Sequence, residues 1–429
     1  MSAGALVARR SWRISTTAAG AASRRVAGEG IVVGAVAAAV AALPLLEPSG
    51  PGNVAPVDAF VVVAVFAVLL WAATSRSRLS FPLALPVGLF VVGGALGAVS
   101  GPVPRAGAVA LAQDVVLLLW FWSLVNLGRS HERLNALLAT WAYASTAWAV
   151  VLVGAVATGT RSISGQTESE GVRTALTFGN PNLAANYFVI SIMIVWATGR
   201  PRRLGPRVAA YAALVVALAS TGSNSGIVAV VAGSTVASVL GVYRRAGLVP
   251  AVASLALVGM VAFVVGVSFS VDDVQSRAKR SSYAFVRDGV GRSAKTASDR
   301  GLLLQQGLHL YRTGGPLGTG PTSTKVRLEQ QAAHRAVEAH NDYLAAVNER
   351  GVLGLLGVVL LVAALGVYAV FVGGASRSEP RARGLASPNA LAGAIVAIFV
   401  TMGASELLHA RHVWALFGVV VAAAAQARR

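Results

Sequence analysis

Apolar residues in this chain come in long unbroken runs, not at the three-to-four-residue spacing of a helix with one wet face. Twelve runs recur, over roughly 30–46, 57–74, 81–99, 106–127, 134–157, 176–198, 207–220, 226–243, 248–270, 351–373, 389–408 and 413–427. A helix of about 20 apolar residues crosses the hydrocarbon core of a bilayer. Most of the runs approach that length, and the seventh and twelfth are short. The pattern predicts an all-α polytopic membrane protein of about twelve transmembrane helices. One long polar segment, 271–350, separates the ninth run from the tenth. Four regions follow: a basic tail over 1–29, a membrane domain over 30–270, a loop domain over 271–350, and a second membrane part over 351–429. The two halves share no repeat, which weighs against the inverted-repeat transporters.

Composition agrees with the pattern. The chain has 429 residues, 55% of them hydrophobic and 12% charged, with a mean hydropathy of +0.67. Soluble domains carry about a quarter charged residues. The formal net charge of +19 invites a nucleic-acid reading, but basic residues flanking membrane spans account for it, through orientation and attraction to anionic lipid. With no cysteine, disulfides, thiol catalysis and thiolate metal sites are excluded. The five Arg of the first 29 residues precede the first run as in an uncleaved signal anchor.

Charge placement orients the chain. With the N-terminus in the cytoplasm, the inside segments hold 20 Arg and the short outside loops hold four: Arg105, Arg161, Arg173 and Arg411. That bias places the long 271–350 segment outside. Three polar motifs then fall on the outer side, each at the start of a span that runs inward. They are GNPNLAANYF from Gly179, TGSNSG from Thr221, and HNDYLAAVNERG from His340. Helix N-termini present free N–H groups and positive dipole ends, which suit phosphate.

Each motif also has a local explanation. Asn180 and Pro181 suit a helix cap and first turn, whereas Asn182, Asn186 and Tyr187 would enter the bilayer with it. TGSNSG, with Asn224, suits a tight turn between spans. In the third motif Asn341 caps a short helix, Gly351 breaks it, Tyr343 lies within its first turn, and His340 lies just outside with a ring able to accept a proton near neutral pH. The outer segment has helical spacing over Arg300–Tyr311, then a Gly- and Pro-rich loop over Gly314–Gly320 without the GKS/T of a Walker loop. Around it Arg300, Arg312, Lys325, Arg327 and Arg335 suit either a phosphate clamp or solvated loop charges. Glu406, His409, Arg411 and His412 gather at the end of the eleventh run. Asp114, inside the fourth, calls for either an Arg or Asn partner or a functional role. The six His show no HxxxH or HExxH pattern, so the chemistry reads as metal-independent and free of cofactors.

Together, GNPNLAANYF, TGSNSG, the PLGTGP that follows Arg300 and Arg312, and AHNDYLAAVNERGVLGLLG resemble the O-antigen ligase and polymerase superfamily of bacterial envelopes, over roughly residues 170–375. The resemblance implies a GT-C-like membrane glycosyltransferase in the bacterial cytoplasmic membrane, with its active face extracytoplasmic. It implies a glycan donor on undecaprenyl diphosphate, passed with inversion and without metal to a hydroxyl on a lipid, wall-polymer or protein acceptor. By motif match His340 is the catalytic group and Arg300 holds the diphosphate. Arg312 is added from its charge and its nearness to PLGTGP. Asn180, Asn182, Asn224, Asn341 and Tyr343 complete the expected substrate-binding set. Many relatives carry Arg where this chain has Asn224, and an amide does not neutralise phosphate. Arg161 and Arg173 are the candidates to replace it. Ligase and polymerase share this donor, and a transporter or flippase for lipid-linked or anionic solutes is the competing class.

Overall fold

The computed structural model describes residues 28–46, 54–75, 79–166, 173–268, 276–277, 280–281, 293–330, 341–374 and 385–427, the side chains of 265–268, 293–300 and 374 excepted. The regular structure of the described residues is helical, without strands. The elements are α1 (Gly28–Ala41), α2 (Pro56–Ser75), α3 (Ala84–Ser100), α4 (Pro104–Leu127), α5 (His131–Thr158), α6 (Pro181–Thr198), α7 (Leu204–Ser220), α8 (Asn224–Ala246), α9 (Leu248–Ser268), α10 (Ser293–Gly314), α11 (Ser323–Gln330), α12 (Asp342–Gly374), α13 (Asn389–Met402) and α14 (Arg411–Ala427). Every one of the twelve expected runs overlaps one apolar helix. Six of these (α2, α4, α5, α6, α8 and α12) are long and apolar enough to cross a membrane, and six are shorter. The eleventh run shows why: its helix stops at Met402, because residues 403–410 fold back as a polar turn.

Boundaries follow local chemistry. Asn180 caps α6 by accepting a hydrogen bond from the Asn182 backbone N–H at 2.8 Å, with Pro181 in the first turn. Ser223 caps α8 by accepting from the Gly226 N–H at 3.3 Å. The cap expected at Asn180 is present, and TGSNSG makes the expected turn, in which Ser223 also caps α8.

Two helices form the centre. Along α14 every residue from Arg411 to Ala424 is buried, and α6 is almost as enclosed. Around them, Phe66, Val63, Val249 and Phe263 are 61–79% exposed. In a bilayer such a rim meets lipid and needs no aqueous explanation. Between helices, contact depends on small residues. A Cβ on Gly97 of α3 would lie 2.5 Å from the Glu349 carbonyl oxygen, and one on Gly233 of α8 at 2.5 Å from the Gly393 oxygen of α13. Such close approach is the usual packing mode where no water drives helices together.

The expected break at Gly351 is present inside α12, at φ 65° and ψ −162°. The turn after α10 docks on it. Thr319 N–H donates to the Asn348 carbonyl at 3.0 Å, Gly320 N–H to that of Glu349 at 2.8 Å, and Val352 N–H to that of Pro316 at 2.9 Å. Two motifs 30 residues apart in the sequence thus form one backbone clasp. Gly351→Ala is expected to cost about 1–3 kcal/mol, since its Cβ would lie 2.5 Å from the Leu317 carbonyl carbon at a φ that disfavours any side chain. Thermal melts in detergent read this against Gly366→Ala, where the added Cβ meets nothing within 4 Å. Equal melting of both variants would contradict the clasp.

Candidate functional site

The ends of α3 and α13 and the starts of α2, α4, α6, α8, α12 and α14 meet at one end of the bundle, and all three polar motifs lie there. The first two touch directly: Ser223 Oγ donates to Asn182 Oδ1 at 2.9 Å. Arg173 joins them, donating from Nη2 to the same oxygen at 3.2 Å and from Nε to the Thr221 carbonyl at 2.9 Å. A guanidinium therefore sits over the turn in which the sequence offers only Asn224, itself half-buried as the first residue of α8.

The third motif reaches this pair through the last turn of α13. Asn341 caps α12, accepting from Tyr343 and Leu344 N–H at 2.9 and 3.1 Å, while its Nδ2 donates to the Gly403 carbonyl at 3.0 Å. Tyr343 OH lies 3.4 Å from the Phe399 carbonyl. From the other side, Asn186 Nδ2 donates to Thr401 Oγ1 at 3.0 Å. One helical turn, 399–403, is thus gripped from α6 and α12 at once. His340 lies outside the described residues, as does the side chain of Arg300. Arg312 is exposed at the end of α10 and does not line the cavity described next. Its neighbour Arg327 holds that helix end instead, through the Leu310 carbonyl at 3.4 Å and Thr313 Oγ1 at 3.2 Å. Partial burial pushes the pKa of Arg327 below the ordinary guanidinium value.

A cavity of about 170 Å³ opens between α3, α4, the α10–α11 turn, the start of α12 and the 403–410 turn. Its charged lining is Asp114, Asp342, Glu349, Arg350, Glu406 and Arg411, with Gln113 and His409 beside them. Asp114 meets Arg350 at 2.7 Å, and the Arg350 guanidinium lies 3.7 Å from the Phe90 ring centroid. Asp342 accepts the Leu407 and Leu408 N–H groups at 2.8 and 3.1 Å, which pins the 403–410 turn to α12. Glu349 accepts from Thr324 Oγ1 at 2.7 Å and from the Thr322 and Thr324 N–H groups at 3.0 and 3.3 Å, holding the clasp from inside. Arg411 makes a two-pronged pair with Asp58 at 2.8 and 2.7 Å. Most of these charges hold elements together as well as facing the cavity.

Asp114 has the Arg partner, Arg350, that one reading of it called for, and it also faces the cavity. The Glu406–His409–Arg411–His412 cluster divides. The first three line the cavity, whereas His412 turns into the bundle and shares a 3.1 Å hydrogen bond with Asn186 Oδ1. Asp58 went unnoticed in the sequence because an acid in a first helical turn reads as a cap, which it also is, accepting the Ala55 N–H at 2.8 Å. Among the described residues no group of three or more His, Asp or Glu is placed to hold a metal ion.

No curated protein matches the chain significantly. Residues 209–359 match the family model described as O-antigen ligase. That segment runs from α7 through the TGSNSG turn, the long polar segment and the clasp into α12, carrying Asp342, Glu349 and Arg350 of the cavity, and over it the chain is similar to the O-antigen ligase family.

Proposed function

We propose that the chain is an inverting, metal-independent glycosyltransferase that moves a glycan from undecaprenyl diphosphate to an acceptor hydroxyl at the extracytoplasmic face of the cytoplasmic membrane. The observation that supports it best is that the family-matched segment supplies one wall of the charged cavity. His340, joined directly to the capping Asn341, takes the acceptor proton. The acceptor oxygen then bonds to the anomeric carbon as the bond from that carbon to the diphosphate oxygen breaks. Undecaprenyl diphosphate leaves with the electron pair. Arg300 and Arg312 meet the charge that develops. Asn180, Asn182 and Asn224 bind at the starts of α6 and α8, where Arg173 supplies the guanidinium that Asn224 does not.

Cells lacking the protein test this reading. They should accumulate the undecaprenyl-diphosphate-linked glycan on the outer leaflet. Accumulation on the inner leaflet would point to a flippase instead. Product length separates the two family chemistries, since a polymerase yields a ladder of repeats and a ligase a single transfer.

Orientation has its own test, made simple by the absence of cysteine. Leu317→Cys, in the exposed turn after α10, should react with a membrane-impermeant maleimide in intact cells. Arg203→Cys, exposed between α6 and α7 at the opposite end, should react only after permeabilisation. The reverse pattern would invert the topology.

A further inference from the structure

The cavity and the Arg173 cluster differ in charge, and that difference sorts the parts of a lipid-linked glycan between them. The cavity lining has four carboxylates (Asp114, Asp342, Glu349 and Glu406) against two guanidiniums, Arg350 and Arg411. Each guanidinium already faces a carboxylate: Arg350 faces Asp114 at 2.7 Å and Arg411 faces Asp58 at 2.7 Å. Placing a diphosphate there would add at least two negative charges to an enclosed, acid-leaning wall. Like charges at such range repel strongly away from bulk water.

A neutral sugar fits the same lining. Ionised carboxylates only accept hydrogen bonds, each through about four lone-pair positions, and a sugar presents several hydroxyl donors close together. Gln113, Thr322 and the guanidinium N–H groups supply donors for its ring and hydroxyl oxygens. The volume of about 170 Å³ holds several waters and so a single sugar ring.

Given the glycosyl-transfer reading, on which this rests, we propose that the cavity between α3, α4, α12 and the 403–410 turn is a subsite for one uncharged sugar residue and excludes the diphosphate. Asp114 and Glu406 are its hydroxyl acceptors. Loss of a charged acceptor at a buried hydrogen bond weakens binding by roughly tenfold or more.

The test is saturation-transfer NMR on the full chain in nanodiscs. The probes are methyl glycosides of a hexose, an N-acetylhexosamine, a 6-deoxyhexose and a pentose, with inorganic pyrophosphate as competitor. At least one glycoside should take up saturation from the wild-type protein. Its signal should fall roughly tenfold in Glu406→Gln and in Asp114→Asn, and excess pyrophosphate should not displace it. Glu406, on the surface turn, serves where Asp114→Asn does not fold. Displacement by pyrophosphate would overturn the proposal, as would a signal unmoved by a folded Glu406→Gln, or uptake by none of the glycosides. Donor turnover is scored separately. Turnover with no sugar bound in the cavity would sink the subsite alone, and sugar binding without turnover would sink the transferase reading alone.

Discussion

Arg350→Ala is expected to destabilise the protein by about 3–5 kcal/mol, because it strands the Asp114 carboxylate inside the bundle. The two side chains are 10% and 11% exposed and meet at 2.7 Å. No other cation is within salt-bridge reach of Asp114 among the described residues. The loss has two further parts. The Phe90 ring, 3.7 Å from the guanidinium, loses its cation. The clasp also loses a neighbour, since Glu349 and Gly351 flank Arg350. If the stranded carboxylate dominates, removing it should restore much of the stability. Arg350→Ala combined with Asp114→Asn should recover most of the loss, and Asp114→Asn alone should cost less than Arg350→Ala. Thermal or denaturant unfolding in one detergent reads all three. A loss below about 1 kcal/mol for Arg350→Ala would mean that the pair is solvated as at a surface.

His340→Ala is expected to lower glycan transfer by about 10²–10⁴-fold, the range for removal of a positioned general base. Folding should be unchanged, because Asn341 and not His340 caps α12 and ties it to Gly403. Asn341→Ala gives the opposite signature. It exposes the first N–H groups of α12 and frees the 399–403 turn, so stability should fall by about 1 kcal/mol along with the rate. His340→Ala with full turnover would remove the residue from the reaction.

Much of this architecture was legible in the sequence because the bilayer imposes it. Runs of about 20 apolar residues mark spans whatever their partners are, and the caps at Asn180 and Asn341, the break at Gly351 and the loop after α10 rest on local rules. Helix ends were less legible where a polar turn continues an apolar run, as at 403–410. Pairings across the bundle were the least legible. Asp58 with Arg411 and Asp114 with Arg350 are separated by 353 and 236 positions in the chain, and nothing local to either acid names its partner. For Asn224 the sequence posed the problem and named two arginines. Arg173 reaches the turn because the segment after residue 172 crosses it, with Thr174 N–H donating to the Ser220 carbonyl at 3.1 Å. His409 and His412 are neighbours in sequence, but His409 lies in the turn before α14 and lines the cavity, whereas His412 lies in the first turn of α14 and bonds Asn186 inside the bundle.

The most direct measurement is consumption of an undecaprenyl-diphosphate-linked glycan by the purified protein in nanodiscs, with EDTA present, comparing wild type with His340→Ala and Arg300→Ala. Transfer by the wild type in EDTA, lost in both variants while their melting temperatures hold, is the expected result. A wild-type protein that leaves the donor intact, or that turns over only when metal is restored, would contradict metal-independent glycosyl transfer.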